Sequence, residues 1–172
     1  LRILSLENGR ELFALEAGSY VPASPAIARR TAYAASYGGR LLAFSTATAR
    51  LLWSAGPRTE KAAFLGSPAI AFGTVVAGGK DGNIRAWEAG TGRQLWQFAT
   101  GGSVDASPLI AGGSVLAAST DGWLYLVDRQ TGRELWSAEL GGQLRASPVA
   151  AGDTVFIGTP DGRFIAYREK SK

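Results

Sequence analysis

The sequence predicts an all-β fold of four-stranded antiparallel sheets, and three recurring markers lead to that prediction. Ser-Pro recurs at 24, 67, 107 and 147, a leucine followed by an aromatic residue at 12, 52, 95 and 135, and a turn dipeptide at 38, 81, 121 and 161. Each marker repeats after 40 or 43 residues, with one three-residue insertion between Trp53 and Ser67. Four short strand-like runs fill each repeat, which is typical of one blade of a β-propeller.

The third repeat illustrates how the strands are assigned. Residues 107–111, 114–119, 123–128 and 134–140 form four runs of strand character separated by turn signals. The dipeptide Asp121-Gly122 predicts a two-residue type I′ hairpin, with positive φ at both positions. No segment keeps a 3.6-residue period over several turns, so we expect almost no helix.

Residue size also follows the geometry of a blade. The first strand of each repeat is expected to contain the Ser-Pro dipeptide followed by small apolar residues, because first strands crowd around a central channel. Large aromatic residues recur on the fourth strand, where the gap between blades is wider. They are Phe13, Trp53, Trp96 and Trp136.

The predicted strands add up to part of a ring. The repeat units are residues 1–39, 40–82, 83–122 and 123–162, with a closing strand in 163–172, all in one domain of 172 residues. They contain two strands of a first blade, twelve in complete blades and three in a last blade. About four blades and one extra strand indicate part of a larger propeller whose other blades lie upstream. The alternatives are a complete small propeller or two copies of the chain that complete one ring.

Composition excludes several kinds of chemistry. The chain has no His, no Cys and no Met, so disulfides, thiolate metal sites and a Ser-His-Asp triad are excluded within it. The net charge of +4 comes from basic residues concentrated in 40–82 and 163–172 and does not form one contiguous stripe. Nucleic-acid binding is therefore not expected. No apolar run approaches the ~20 residues of a transmembrane helix.

One recurring segment carries a family resemblance. Residues 86–96, Ala-Trp-Glu-Ala-Gly-Thr-Gly-Arg-Gln-Leu-Trp, resemble the tryptophan-docking motif Ala-x-Asp-x-x-Thr-Gly-Lys-x-x-Trp of the quinoprotein (PQQ-like) β-propeller family. Residues 126–136 match equally well, whereas 43–53 has Ser45 for the acid and Ala49 for the glycine. Residues 3–13 end in Phe13 instead of Trp. The resemblance extends over essentially the whole chain.

The resemblance implies structural roles for the motif residues. Each aromatic residue is expected to dock on the motif of a neighbouring blade, the glycine to adopt positive φ, and the acid to accept hydrogen bonds from turn amides. The residues concerned are Phe13, Trp53, Trp96 and Trp136 as docking side chains, Gly92 and Gly132 as turn glycines, and Glu88 and Asp128 as turn acids. We predict no catalytic, cofactor-binding or metal-binding residue among them.

The family contains both enzymes and non-enzymatic propellers. Its dehydrogenases hold pyrroloquinoline quinone over Ca²⁺, but the acids of this chain lie mostly in turns, so no cofactor is predicted. The leading interpretation is a non-enzymatic protein-binding or scaffolding module, similar to the barrel-assembly lipoproteins of the bacterial outer membrane. The alternative is the C-terminal part of a PQQ-dependent dehydrogenase whose active site lies upstream. The resemblance favours a periplasmic or other extracytoplasmic location.

Positions that depart from the repeat are the candidates for partner binding. The insertion within 54–66 carries Arg58 and Lys61, and represents either loop variation or a partner contact. Asp105 and Arg145 precede Ser-Pro by two residues on adjacent blades, so they either pair with each other or face a ligand or peptide. Arg29-Arg30 replaces a Gly-Gly hairpin and is expected to be solvated.

A third interpretation is a carbohydrate- or surface-binding repeat protein. It requires Trp87 and Trp123 to be exposed, whereas the competing expectation is that both pack between blades.

Overall fold

The computed structural model describes residues 2–168 and confirms the all-β prediction. The only helix within these residues is a short 3₁₀ turn, Glu60–Ala62. The strands are β1 (Arg2–Leu4), β2 (Glu11–Ala14), β3 (Ala26–Ala28), β4 (Thr31–Ala35), β5 (Leu41–Ser45), β6 (Leu51–Ala55), β7 (Ala69–Ala71), β8 (Thr74–Gly78), β9 (Asn83–Glu88), β10 (Gln94–Ala99), β11 (Leu109–Ala111), β12 (Ser114–Ala118), β13 (Trp123–Asp128), β14 (Glu134–Glu139), β15 (Val149–Ala151), β16 (Thr154–Gly158) and β17 (Phe164–Arg168).

The strands form five antiparallel sheets in chain order. Three are complete four-stranded blades, β3–β6, β7–β10 and β11–β14. Within the described residues β1–β2 is a two-stranded sheet and β15–β17 a three-stranded one, so the strand count agrees with the sequence prediction. The first strands β3, β7, β11 and β15 contact one another in that order, which gives a partial propeller. The repeat units are offset from the blades, because each complete blade takes two strands from one unit and two from the next.

The first strand of each blade is shorter than predicted, because it begins after the Ser-Pro dipeptide. The serine N–H of that dipeptide bonds to the neighbouring blade. Ser67 N–H donates to the Ser107 hydroxyl at 2.9 Å, and Ser107 N–H donates to the Ser147 hydroxyl at 3.0 Å. The recurring serine is therefore a link between first strands, a role that the sequence interpretation missed.

The type I′ hairpin predicted at Asp121-Gly122 is also wrong. In the Asp81-Gly82 and Asp121-Gly122 turns only the glycine has positive φ, +77° and +91°. Gly82 N–H donates to the carbonyl of Gly79, and Gly79 N–H donates to that of Asn83, so three residues form the loop and its glycine is left-handed. The aspartate adds a side-chain bond from Asn83 N–H to Asp81 Oδ1 at 3.3 Å, which favours the longer loop.

The core lies between the sheets, because each blade buries both faces against its neighbours. Side chains alternate along β4: Tyr33 and Ala35 pack with Val75 and Trp87 of the next blade, while Ala34 faces Leu42 and Leu15 on the other side. The same arrangement recurs between the β7–β10 and β11–β14 blades, around Ile84, Val104 and Val127.

Trp87 belongs to this core and is not a surface residue. It is 1% exposed and packs edge to face on Phe64, with ring centroids 5.9 Å apart. The carbohydrate-binding interpretation is therefore wrong for Trp87. Trp123 is half-buried, with its ring 6.5 Å from that of Tyr125. Within residues 2–168 no helix has the length and apolarity needed to cross a membrane.

Core burial between blades predicts the cost of a cavity. Ile84→Ala should lower the free energy of unfolding by about 2–5 kcal/mol, because Ile84 is fully buried between two blades. Ile27→Ala is the matched control: Ile27 also lies on a strand but is 64% exposed, so its change should stay within about 0.5 kcal/mol. Chemical denaturation of the three proteins measures both values, and equal losses would contradict the proposed position of the core.

Candidate functional site

Trp53 contacts the turn between β9 and β10 of the next blade. Its indole Nε1–H donates to the carbonyl of Ala89 at 2.9 Å. Its ring covers Gly92, whose φ is +73°, and a Cβ added to Gly92 would lie 2.6 Å from Trp53 Cε3. Only glycine fits beneath the indole, for reasons of both space and backbone conformation.

The next interface repeats this contact. Trp96 Nε1–H donates to the carbonyl of Arg129 at 2.7 Å. Gly132 has φ +71°, and an added Cβ would lie 2.7 Å from Trp96 Cδ2. Three successive blades are thus joined at two interfaces by the same indole-over-glycine arrangement, and the sequence resemblance implies these roles for all four residues.

The two acids of the motif organise the turns locally. Asp128 Oδ1 accepts from the backbone N–H of Gln130 at 3.0 Å and of Thr131 at 2.7 Å, and from the Thr131 hydroxyl at 2.8 Å. The Thr131 hydroxyl, followed by its amide, holds the pKa of Asp128 below its ordinary value. Glu88 accepts from the Thr91 hydroxyl at 2.5 Å, which lowers the pKa of Glu88, and it also pairs with Arg93.

The aromatic residues at the two ends are more exposed. Phe13 is 41% exposed and Trp136 is 36% exposed. Trp136 packs edge to face on Tyr167, with centroids 4.9 Å apart. The motif partner of Trp136 by the repeat falls in 169–172, outside the described residues. The docking role of Trp136 therefore stays a prediction, as does that of Phe13.

Asp105 and Arg145 form an ion pair between adjacent blades. Arg145 Nη1 lies 3.0 Å from Asp105 Oδ2, and Arg145 also donates to Gln143. The Ser103 hydroxyl donates to the other Asp105 oxygen. The Asp105 side chain is 13% exposed while that of Arg145 is 63% exposed, so the arginine is the member that a partner would contact.

The insertion loop is folded, and its apolar end lies in the core. Ala62, Ala63 and Phe64 are buried, and Phe64 bridges to Gly79. Arg58 N–H donates to the carbonyl of Gly39 at 2.9 Å, with Arg58 at φ +59°. The side chains of Arg58 and Lys61 therefore project from a fixed backbone, and both residues are exposed.

A buried arginine lies at the hairpin end of the middle blade. The Arg85 side chain is 6% exposed. Its Nη1 and Nη2 both pair with the Asp81 carboxylate, and its Nε–H donates to Gln97 Oε1 at 3.0 Å. Burial raises the pKa of Asp81, but the hydrogen bonds and charge of Arg85, together with Asn83, lower it by more, so the net pKa lies below 3.8. The pair neutralises a cation that would otherwise be buried alone.

A cleft of about 530 Å³ opens between the β3–β6 and β7–β10 blades. Tyr33, Leu52 and Ile70 contribute to its walls, and Arg29 and Phe72 lie at its rim. Arg29 and Phe72 have φ of +54° and +50°, a conformation that costs a residue with a side chain about 1–2 kcal/mol. The sequence interpretation noticed the Arg29-Arg30 substitution but missed the cleft, because its walls come from two different repeats.

The described residues do not fit the Ca²⁺–quinone site of the dehydrogenases. Within residues 2–168 no group of three or more Asp or Glu side chains is placed to hold a metal ion. The carboxylates that the structure describes in detail instead accept bonds from turns or pair with arginines. One further example is Asp121, which accepts from Gly101 N–H at 2.7 Å and from the Tyr125 hydroxyl at 2.8 Å.

Loss of one indole hydrogen bond tests the docking contact. Trp96→Phe keeps an aromatic ring but removes the bond to Arg129, so unfolding free energy should fall by about 1–3 kcal/mol. Trp123→Phe is the control: the same atoms are removed from a half-buried indole whose recorded contact is a ring contact with Tyr125. Thermal and chemical denaturation should show the smaller loss for Trp123→Phe, and the reverse order would refute the docking contact.

The Asp81–Arg85 pair predicts an acid-sensitive contribution to stability. Because the folded-state pKa of Asp81 is lowered, the pair stabilises the fold above pH 3.8, and this contribution is lost as the pH falls through the lower folded value. Asp81→Asn should cost about 1–2 kcal/mol at pH 7 and less at pH 3. Asp153→Asn, which changes a more exposed carboxylate paired with Arg168, is the control. Urea denaturation at both pH values measures the unfolding free energy of the two variants. A loss for Asp81→Asn that does not change with pH would contradict the stabilising role of the Asp81–Arg85 pair.

Comparison with known proteins places the chain in a family. No curated protein matches the sequence at a significant level. The crystal structure of BamB from Moraxella catarrhalis superimposes with a TM-score of 0.77 at 20% identity, covering 88% of this chain and 48% of that one. This chain therefore spans about half the length of that protein. At this identity the likeness shows the fold.

Two computationally designed proteins have the same fold. Ika4 superimposes with a TM-score of 0.81 at 22% identity, over 93% of this chain and 98% of its own. Ika8 gives 0.85 at 21% identity, over 98% of this chain and 52% of its own. The family model described as outer membrane protein assembly factor BamB matches residues 2–172. Because that match spans nearly the whole sequence, the chain belongs to the BamB family of PQQ-like β-propellers.

Proposed function

We propose that the chain is a non-enzymatic propeller module that binds a protein partner or serves as a scaffold. The observation that carries this proposal is the insertion loop, the one length outlier between blades. Its buried end, Ala62 to Phe64, fixes the backbone, while Arg58 and Lys61 remain exposed. A cationic loop on a rigid support is suited to an acidic surface on a partner, because little conformational entropy is lost on binding.

The polar groups of the blades support the same proposal. Among the described residues no buried side-chain nitrogen or oxygen lacks a hydrogen-bond partner. Asp81, Asp121 and Asp128 are each engaged in bonds to arginine, tyrosine or backbone amides. Such groups maintain turns and interfaces, and a general acid or base would instead need to face a substrate.

Family membership adds a coarser argument. The BamB structure of Moraxella catarrhalis shares this fold, and the family description names it as an assembly factor of outer membrane proteins. We infer by analogy a role with protein partners and an extracytoplasmic location. The partner and the compartment of this chain are part of the proposal.

Photo-cross-linking from the loop tests this function. A photoreactive residue at position 61 in the full-length protein should capture a discrete partner in the source cells, and Arg58→Glu should reduce the yield because it reverses the loop charge. Arg133→Glu is the matched control, since Arg133 is exposed on a turn between β13 and β14. Equal yields for both variants would contradict a role for the loop.

A dye-reduction assay tests the dehydrogenase alternative. Full-length protein incubated with pyrroloquinoline quinone and Ca²⁺ is assayed with an electron-accepting dye against a panel of alcohols and sugars. The proposal predicts no dye reduction above the free quinone. Sustained, protein-dependent reduction would overturn the non-enzymatic assignment.

The ion pair between Asp105 and Arg145 gives a separate prediction. Arg145→Asp should weaken partner binding if the exposed arginine is contacted, while the unfolding free energy changes by about 1 kcal/mol or less. The double variant Asp105→Arg/Arg145→Asp restores the pair with reversed direction, so it should recover stability but not binding. Full binding by both variants would remove this pair from the proposed partner surface.

A further inference from the structure

The cleft between the β3–β6 and β7–β10 blades has a filled counterpart one blade further along. There Arg129 lies over the ring of Phe72, with Cζ 5.0 Å from the ring centroid. Its guanidinium donates to the carbonyl of Gly112 at 3.1 Å and to the Thr74 hydroxyl at 3.2 Å. The equivalent interface between β7–β10 and β11–β14 is thus occupied by a side chain of the protein itself.

The repeat shows why the first cleft stays open. By the 40- and 43-residue spacings, Ala89 takes the position of Arg129, and Arg29 takes the position of Phe72. The first cleft therefore has the methyl group of Ala89 where the neighbouring interface has the guanidinium of Arg129. It has the cationic side chain of Arg29 where that interface has the ring of Phe72. The resulting space is about 530 Å³, within the usual size range of ligand pockets.

Two rim residues keep a strained backbone at this cleft. Arg29 and Phe72 have positive φ, whereas the equivalent first residue of the hairpin is glycine in the last two blades, at 112 and 152. The Phe72 ring is covered on one side by Arg129, whereas Arg29 is exposed and core packing does not hold its side chain there. A side chain that is retained against backbone strain at an open pocket indicates a binding role.

The charge of Arg29 and the apolar walls of the cleft indicate which kind of ligand it binds. Arg29 is the only charged residue lining it, and it forms no ion pair with any residue between 2 and 168. The larger part of the wall surface is apolar, with Leu52, Ile70 and Phe72 among the lining residues. A cationic group is disfavoured by Arg29, whereas an apolar group followed by a carboxylate matches both the walls and the rim.

We propose that this cleft binds a short segment of a protein partner in which an apolar side chain is followed by an aspartate or glutamate. The apolar side chain lies against Leu52, Ile70 and Phe72, and the carboxylate pairs with Arg29. This inference rests on the proposed protein-binding function and specifies the chemistry of one contact.

A peptide titration followed by NMR tests the cleft. The probe is acetyl-Gly-Phe-Asp-Gly-amide added to the ¹⁵N-labelled 172-residue chain, and its Asn counterpart is the uncharged control. Amide shifts should appear at 29–33, 70–73 and 89–90 and saturate with a Kd about tenfold lower for the Asp peptide, as expected for a charge-assisted bond. No saturable shifts in these segments, or equal affinity for both peptides, would overturn the proposal.

Two variants separate binding from folding. Arg29→Gly installs the residue found at 112 and 152, so it should preserve or raise the melting temperature while weakening the Asp peptide about tenfold. Arg30→Gly removes the adjacent exposed charge, which does not line the cleft, and should leave the affinity within about twofold. Equal losses from the two variants would show a general charge effect and contradict the cleft.

A third variant closes the cleft. Arg29→Phe/Ala89→Arg recreates the Phe72–Arg129 pair of the neighbouring interface and should abolish the shifts at 70–73. Peptide binding that survives this filling would locate the site elsewhere and refute the proposal.

The remaining comparisons identify the occupant. If 3-phenylpropionate binds as tightly as the Asp peptide, the cleft is a site for small carboxylates and the partner-segment proposal is wrong. If cross-linking from position 61 captures a partner while the peptide shifts nothing, this inference fails and the proposed function stands. If the peptide binds but no partner is cross-linked from position 61, the proposed role of the cleft stands and the proposed role of the insertion loop is wrong.

Discussion

The structure depends on the packing of an indole over a glycine that has positive φ. Trp53 covers Gly92 and Trp96 covers Gly132, and each indole also donates a hydrogen bond into the same turn. A blade on its own exposes two apolar faces, so its stability comes from its neighbours. The docking contact fixes the distance between blades at their outer side and lets the small residues of successive sheets meet.

At the inner side of the blades, the serine hydroxyls also hold neighbouring blades together. Ser107 and Ser147 accept backbone bonds from the preceding blade, which sets the spacing of first strands, while Trp docking sets that of fourth strands. Between these two constraints the shape of each inter-blade space depends on a few variable side chains. Arg129 fills one such space and Ala89 leaves another open, so a cleft remains at the interface where the side chain is small.

Much of the fold was predictable because repetition amplifies weak local signals. The seventeen strands and the four-stranded blades follow from markers that recur in register. The turn type differs from the prediction because the hydrogen bonds enclose a loop of three residues, 120–122, and the dipeptide Asp121-Gly122 is only part of it. The serine links were missed because the hydroxyl of one Ser-Pro and the amide of another lie 40 residues apart.

The candidate site was less predictable for a related reason. Asp105 and Arg145 were recognised as equivalent positions, and their pairing was one of two expectations that the sequence left open. The cleft needs Arg29, Phe72 and Ala89 from two blades, and no local pattern connects them. Comparing Ala89 with Arg129 across repeats was the available signal, since a small residue in place of a large one marks a space.

The dependence on docking is tested most directly by comparing Gly92→Ala with Gly73→Ala. The two glycines lie in the same blade with φ of +73° and +74°, so an alanine carries the same backbone strain at both. Only at Gly92 does the new Cβ meet the indole, while nothing lies within 4 Å of it at Gly73. The unfolding free energy should fall by about 1–3 kcal/mol more for Gly92→Ala. Equal losses for the two variants would contradict indole docking as the interaction that holds the blades together.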